Sequence, residues 1–285
     1  MLIILSTAGA LASTGGTAKG TVPHEKAPET AMTESSDFKV TGYASIDLMS
    51  GYVYRGSVMN DEPCYWTYGE LNAVYKDFFS LGTWFFQNTD MTCCRKDTFR
   101  RMNEWDFGLD ARARVELTED WKIGCEFGHC WSFSCGVTDP SLGSYENGVN
   151  VLYGIVWLEN PYVTPYFAGE YEYLVDHVGA MSGGLRRTFD LPWGFTLTPD
   201  VSLGGGTAGY NALLYPPFDG SADTGITYVR AGAELAYWFN AHFAIRVTLD
   251  YSVLLDDTIR KGCETYGRPY KKDFLCGSIG VCVAF

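Results

Sequence analysis

Six ionisable residues stand at alternate positions over a short stretch: Glu104, Asp106, Asp110, Arg112, Arg114 and Glu116, with Gly108 keeping the spacing. Between them lie Trp105, Phe107, Leu109, Ala111, Ala113 and Val115, and Leu117 follows. A spacing of two puts all six charges on one face of an extended chain and the apolar side chains on the other. Mixed carboxylates and guanidiniums in such a row do not form a nucleophile–base pair. Their chemistry is that of a charged wall, which orders water and small polar solutes or neutralises itself by pairing. The same phase brings in Glu126, Glu170, Glu172, Arg186, Arg230, Glu234, Arg246 and Asp250. Arg55 falls just after the first strand and is expected at the mouth, either in an ion pair or against solute.

Catalytic alternatives are thin. His129 falls on the apolar face, Trp131 follows two residues on, and Ser132 is three on and so on the opposite face. A His and a Ser two apart on one lipid-facing strand is the arrangement of a twelve-stranded outer-membrane phospholipase family, and this chain departs from it. His24, His177 and His242 supply no serine or carboxylate partner on one face. A lipid hydrolase is therefore the second, weaker alternative, and no cofactor is expected.

Such a wall needs long strands. Fourteen alternating residues exceed the roughly 5–6 of a typical soluble strand. With one face fit for lipid and the other for water, the segment suggests a transmembrane β-barrel. The pattern recurs at 121–135, 228–239, 243–255 and 275–285, and earlier at 39–48. Weaker runs lie at 65–76, 78–88, 149–158, 162–175, 178–189 and 195–206. The expectation is an all-β, antiparallel up-and-down barrel of about twelve strands. In 78–88, Leu81 and Phe85 compete with Trp84 and Phe86 for the outer face. Short connections (76–77, 118–120, 159–161, 190–194, 240–241) alternate with long ones (50–63, 89–102, 136–147, 207–222, 256–272) and with 174–179, which is shorter but polar, as in outer-membrane barrels, which places both termini in the periplasm. Aromatics including Tyr75, Phe78, Trp121, Trp157, Phe195, Tyr237 and Phe243 crowd the short-turn side as an interfacial girdle.

Composition agrees. The net charge of −13 disfavours nucleic acid as a partner. No run of eighteen apolar residues marks a membrane helix. Residues 1–12 read as a signal-peptide remnant ending in small residues, 13–37 as a flexible periplasmic arm, and 38–285 as the barrel. Of nine cysteines, Cys64, Cys93, Cys94, Cys135 and Cys263 fall in or near the long connections, where disulfides could staple loops in an oxidising compartment. Packing cysteines are the alternative. No CxxC or His/Cys spacing supports a metal.

The segment Ser50-Gly51-Tyr52-Val53-Tyr54-Arg55-Gly56 resembles the S-x-Y-x-x-R-G signature of a bacterial putative porin family, often labelled TorF-type. The stretches Gly69 to Tyr75 and Ser80 to Trp84 resemble the order that follows it there. The likeness covers about fifty residues and is a pattern elsewhere; the cysteine load and longer loops depart from it. It implies an outer-membrane barrel that conducts solutes. The terminal Phe285, after Ile279, Val281 and Val283, resembles the end signal by which such barrels are recognised by the assembly machinery.

The function expected is a porin-like channel in the bacterial outer membrane, passing small polar or charged solutes through a narrow charged lumen. The alternative is a non-conducting structural or surface barrel with a salt-bridged lumen. The basic stretch 93–101 is where lipopolysaccharide phosphates would be met. The unusually apolar stretch 207–222 is expected to fold inward as a constriction, to cap the barrel or to bind a partner.

Overall fold

The structure is a computed structural model, and it describes residues 37–76, 78–91, 103–135, 149–173, 177–217, 219–267 and 270–285. In chain order the strands are β1 (Phe38–Met49), β2 (Tyr52–Tyr54), β3 (Ser57–Asn60), β4 (Cys64–Tyr75), β5 (Phe79–Asp90), β6 (Asn103–Glu116), β7 (Lys122–Cys135), β8 (Val149–Glu159), β9 (Thr164–Glu172), β10 (Val178–Arg186), β11 (Phe189–Asp190), β12 (Phe195–Gly206), β13 (Gly225–Trp238), β14 (Phe243–Leu254) and β15 (Asp273–Ala284). Helix α1 (Ala208–Leu214) follows β12, and α2 (Asp257–Tyr266) follows β14.

Twelve of these strands pair in a ring. Each is antiparallel to its neighbours, β10 pairs with β12, and β1 pairs with β15, so the sheet closes on itself. The two-residue β11 only extends the edge of β12, and β2 and β3 form a separate hairpin. The wall strands run from 9 to 14 residues, enough for tilted strands to cross a hydrocarbon core. Closure matters because a bilayer offers no water to an unpaired backbone edge.

The sides of the wall are inverted relative to a soluble protein. Leu109, Phe127, Leu249 and Ile279 are 53 %, 62 %, 54 % and 55 % exposed, whereas Glu104 and Asp106 are 0 % exposed. Only a hydrocarbon exterior makes this arrangement stable. Leu109 lies midway along β6, so Leu109→Arg should cost about 2–4 kcal/mol, the penalty for a cation at the midplane. Urea titration in lipid bilayers would read it, and Leu117→Arg at the strand end should cost about 0–1 kcal/mol.

The ambiguous fifth strand has one solution. Trp84 and Phe86 are 2 % and 1 % exposed, while Leu81 is 56 % exposed. Trp84 lies over Gly108 of β6, where an added Cβ would stand 2.0 Å from the indole. The glycine among the charges of β6 is thus a slot for a ring from the next strand. Trp84 Nε1 then donates to Tyr153 Oη at 2.8 Å.

The two ends differ. At the short-turn end the first and last strands close the ring: Gly42 N donates to Phe285 O at 2.8 Å and Phe285 N to Gly42 O at 3.0 Å. Aromatic rings touch around this rim, as in Phe38–Tyr75 at 4.7 Å and Phe195–Tyr237 at 4.8 Å between centroids. At the other end the long connections carry structure of their own. Residues 50–63 contain the β2–β3 hairpin, 207–222 contain α1, and 256–272 contain α2. The expected segment 1–12 and, except for its last residue, the expected arm 13–37 lie outside the described residues.

Candidate functional site

The hairpin β2–β3 folds into the lumen. Its turn is Arg55-Gly56, with φ of 47° and 83°. Two consecutive positive φ values make the tight turn whose twist suits a hairpin. At Gly56 an added Cβ would lie 2.5 Å from Tyr228 Cβ, so the turn presses on the β13 wall. Holding Arg55 left-handed costs on the order of 1–3 kcal/mol. Its surroundings offset this.

Those surroundings converge on Glu170 of β9. Its carboxylate accepts from Tyr54 Oη at 2.9 Å, Arg55 Nη2 at 2.9 Å and Tyr210 Oη at 2.6 Å. Hairpin, helix α1 and wall are thereby joined at one buried charge, with the side chains of Arg55 and Glu170 4 % and 1 % exposed. Burial works against the Arg55 charge, but Glu170 beside it holds the guanidinium well above its ordinary value. Burial pushes the Tyr210 and Tyr215 hydroxyls well above the usual tyrosine range, so both remain donors. Tyr215 donates to the Arg55 carbonyl. Ser57 Oγ donates to Leu214 O at 3.1 Å, and Tyr52 Oη to Glu104 Oε2 at 3.1 Å. Helix α2 lies on top: an added Cβ at Gly262 would meet the Pro216 backbone at 2.4 Å. The result is a roof of tyrosines across the long-loop end.

Below the roof the wall charges sort into two arcs. On one side Arg112 of β6 sits among three carboxylates. Its Nε is 2.9 Å from Glu126 Oε2 and 3.2 Å from Asp110 Oδ1, and its Nη2 is 3.3 Å from Glu70 Oε2. On the opposite side Arg246 of β14 grips Asp47 through Nε at 2.8 Å and Nη2 at 2.5 Å, with Glu234 3.5 Å from its Nη1. Arg230 holds Asp250 through Nε and Nη2 at 2.9 and 2.6 Å, and Asp200 lies 3.8 Å from Arg230 and 3.9 Å from Arg186. These pairs run along the wall between near strands. They do not bridge the lumen, and neither arc is purely acidic or purely basic.

Arg112→Met would leave Glu70, Asp110 and Glu126 without their counter-charge. A loss of about 3–5 kcal/mol follows from removing one member of a buried charge group, read as a lower melting temperature of the refolded barrel. Arg112→Lys, which keeps a charge but loses the fork, should recover part of it.

The remaining sequence-predicted residues are placed as follows. Asp106 is buried near the roof. Glu172 is buried and accepts from His177 N at 3.3 Å. Arg114 and Glu116 sit at the short-turn rim, their side chains 44 % and 69 % exposed, pairing with Glu159 and Lys122. Missed were Asp47, Glu70 and Asp200, although each continues the even or odd alternation of its strand. Also missed were the inward aromatics Trp66 and Tyr68, and the sequence leaves the face of Trp84 and Phe86 open, because aromatic residues suit either face of the wall.

His129 and Ser132 stand apart. His129 Nε2 lies 2.9 Å from Tyr173 Oη, while Ser132 is inward, with Oγ 3.5 Å from Glu104 Oε1. Of the expected staples, Cys263 is a buried free thiol on α2, pushed up to about 11 by burial. Among the described residues Cys263 has no disulfide partner. Cys64 is fully buried at the start of β4, and Cys135 ends β7. Cys93 and Cys94 lie outside the described residues, as does the basic stretch 93–101.

The described residues line two spaces inside. One of about 210 Å³ lies beneath the roof, against the Arg230–Arg246 arc. The other, about 1100 Å³, opens at the short-turn end and reaches Arg112, Lys76, Arg114 and Trp157. Arg186 lines both.

No family model matches the chain, and no curated protein matches it in sequence. An outer membrane channel from Pseudomonas putida F1 superposes with a TM-score of 0.53 at 12 % identity, covering 92 % of this chain and 100 % of that one. The NanC porin gives 0.48 at 13 % identity over 86 % and 98 %. The likeness to the first is one of fold, and with the inverted wall it makes this chain a transmembrane β-barrel of the bacterial outer-membrane type.

Proposed function

We propose that the protein is a passive channel for small polar solutes. The supporting observation is that the interior charges pair along the walls and not across them, with the 1100 Å³ and 210 Å³ spaces beside them and Arg186 lining both. Twelve strands enclose more than the filled interior of an eight-stranded barrel and less than the open bore of a sixteen-stranded porin. The roof is the constriction and the two arcs are the solute-facing wall. In this reading the short turns and termini face the periplasm, residues 1–12 are a leader remnant and 13–37 an arm. Phe285 presents the assembly signal, and the outer rim meets lipopolysaccharide.

Purified protein in planar bilayers should give small, discrete current steps. A non-conducting barrel is the reading that the tyrosine roof favours, since it fills the long-loop end. No steps from either the intact protein or a form lacking the roof hairpin would establish that reading and remove the channel.

A further inference from the structure

Two buried donors at the smaller space find no acceptor among the described residues. Arg55 spends Nη2 on Glu170, but its Nη1 has no hydrogen-bond partner, and neither has Trp66 Nε1. Both residues line the 210 Å³ space beneath the roof. A buried donor without an acceptor costs roughly 1–3 kcal/mol relative to a paired one, so two beside one cavity point to an acceptor that the protein itself does not supply.

The rest of the lining narrows its chemistry. Trp66, Tyr68 and Phe86 give the space flat apolar surface, with Trp66 and Phe86 edge to face at 5.3 Å. The other side is the ladder of Arg230–Asp250 and Arg246–Asp47, whose members are bound to each other and so already neutralised. Such pairs keep spare N–H groups and lone pairs for hydroxyls, but a net ion gains little from a balanced row. Flat apolar faces opposite mixed donors and acceptors suit a solute with C–H faces and hydroxyl edges.

We propose that this space is a binding site, on the permeation path, for one uncharged polyhydroxylated ring of monosaccharide size. One oxygen of the ring accepts from Arg55 Nη1, another from Trp66 Nε1, and its hydroxyls meet the Asp47–Arg246 and Asp250–Arg230 pairs. The proposal deepens the channel reading, on which its place in transport rests, but binding can be measured without conduction.

The test is calorimetric titration of the full chain in detergent with D-glucose and methyl glucoside, against glutamate and lysine. Saturable, weak binding of the two sugars is expected, with much less heat from either charged amino acid. Trp66→Phe keeps the ring and removes the orphan donor, and should weaken sugar binding roughly three- to tenfold. Its melting temperature should not fall, which separates a ligand contact from a structural one. Arg55→Lys keeps a charge for Glu170 but has no second planar nitrogen, and should weaken binding by a similar factor. No saturable heat with either sugar, equal binding of glutamate or lysine, or unchanged affinity in both variants would overturn the site. Binding as expected in a protein silent in bilayers would support the site and sink the channel.

Discussion

Removing Tyr52–Asn60 and joining Ser50 to Asp61 through a short glycine linker should raise the single-channel conductance several-fold while the barrel still folds. The hairpin contributes no strand to the ring, since β2 and β3 pair only with each other. It does fill the lumen: Tyr52, Tyr54, Val58 and Met59 are 1 % exposed or less. Its loss also takes away the support of α1, because Ser57 and the Arg55 carbonyl are the partners of Leu214 and Tyr215. The bore left behind is that of a twelve-stranded cylinder, wide enough for water and small solutes. Unchanged conductance in a correctly folded deletion would show that the hairpin is not the constriction.

Glu170→Ala should release the roof without melting the wall. The substitution leaves the Arg55 guanidinium buried and uncompensated, a cost of about 3–5 kcal/mol. It also strips the acceptor from Tyr54 and Tyr210, about 1 kcal/mol each. That sum exceeds what the inserted hairpin can hold, whereas the strand ladders do not depend on Glu170. Hydrogen exchange should therefore rise in 50–60 and 208–217, with little change in β13 and β14, and current traces should flicker to the larger conductance of the deletion. The double variant Arg55→Ala/Glu170→Ala should be more stable than Glu170→Ala alone, because the stranded charge is gone. If the double variant were less stable than the single one, the carboxylate would not be acting as the counter-charge to Arg55. Glu170→Gln keeps the shape and one acceptor oxygen, so it should fall between wild type and Glu170→Ala.

Most of the wall was legible from residue types alone. The run from Glu104 to Leu117 matches β6, which pairs Phe107 with Trp131 and Asp110 with Gly128 on β7, so apolar meets apolar and lumen meets lumen. A spacing of two is a property of the extended backbone itself, so neighbours in sequence suffice to read it. The same locality explains the fifth strand. Trp84, Phe85 and Phe86 give three aromatics in a row, and the choice of face waits on Gly108 of the next strand.

What the amino-acid sequence determined by itself is the cylinder: twelve alternating segments, their greasy and ionic faces, and the alternation of short and long connections. What only the tertiary structure decided is whether that cylinder is empty. Arg55 and Glu170 are 115 residues apart, Tyr54 and Glu170 116, and Ser57 and Leu214 157. Each reads locally as a polar loop or strand residue. The physical reason is that a membrane barrel takes its wall pattern from lipid, a uniform solvent that acts on every strand alike. The lumen is filled by specific partners brought together only when the ring closes.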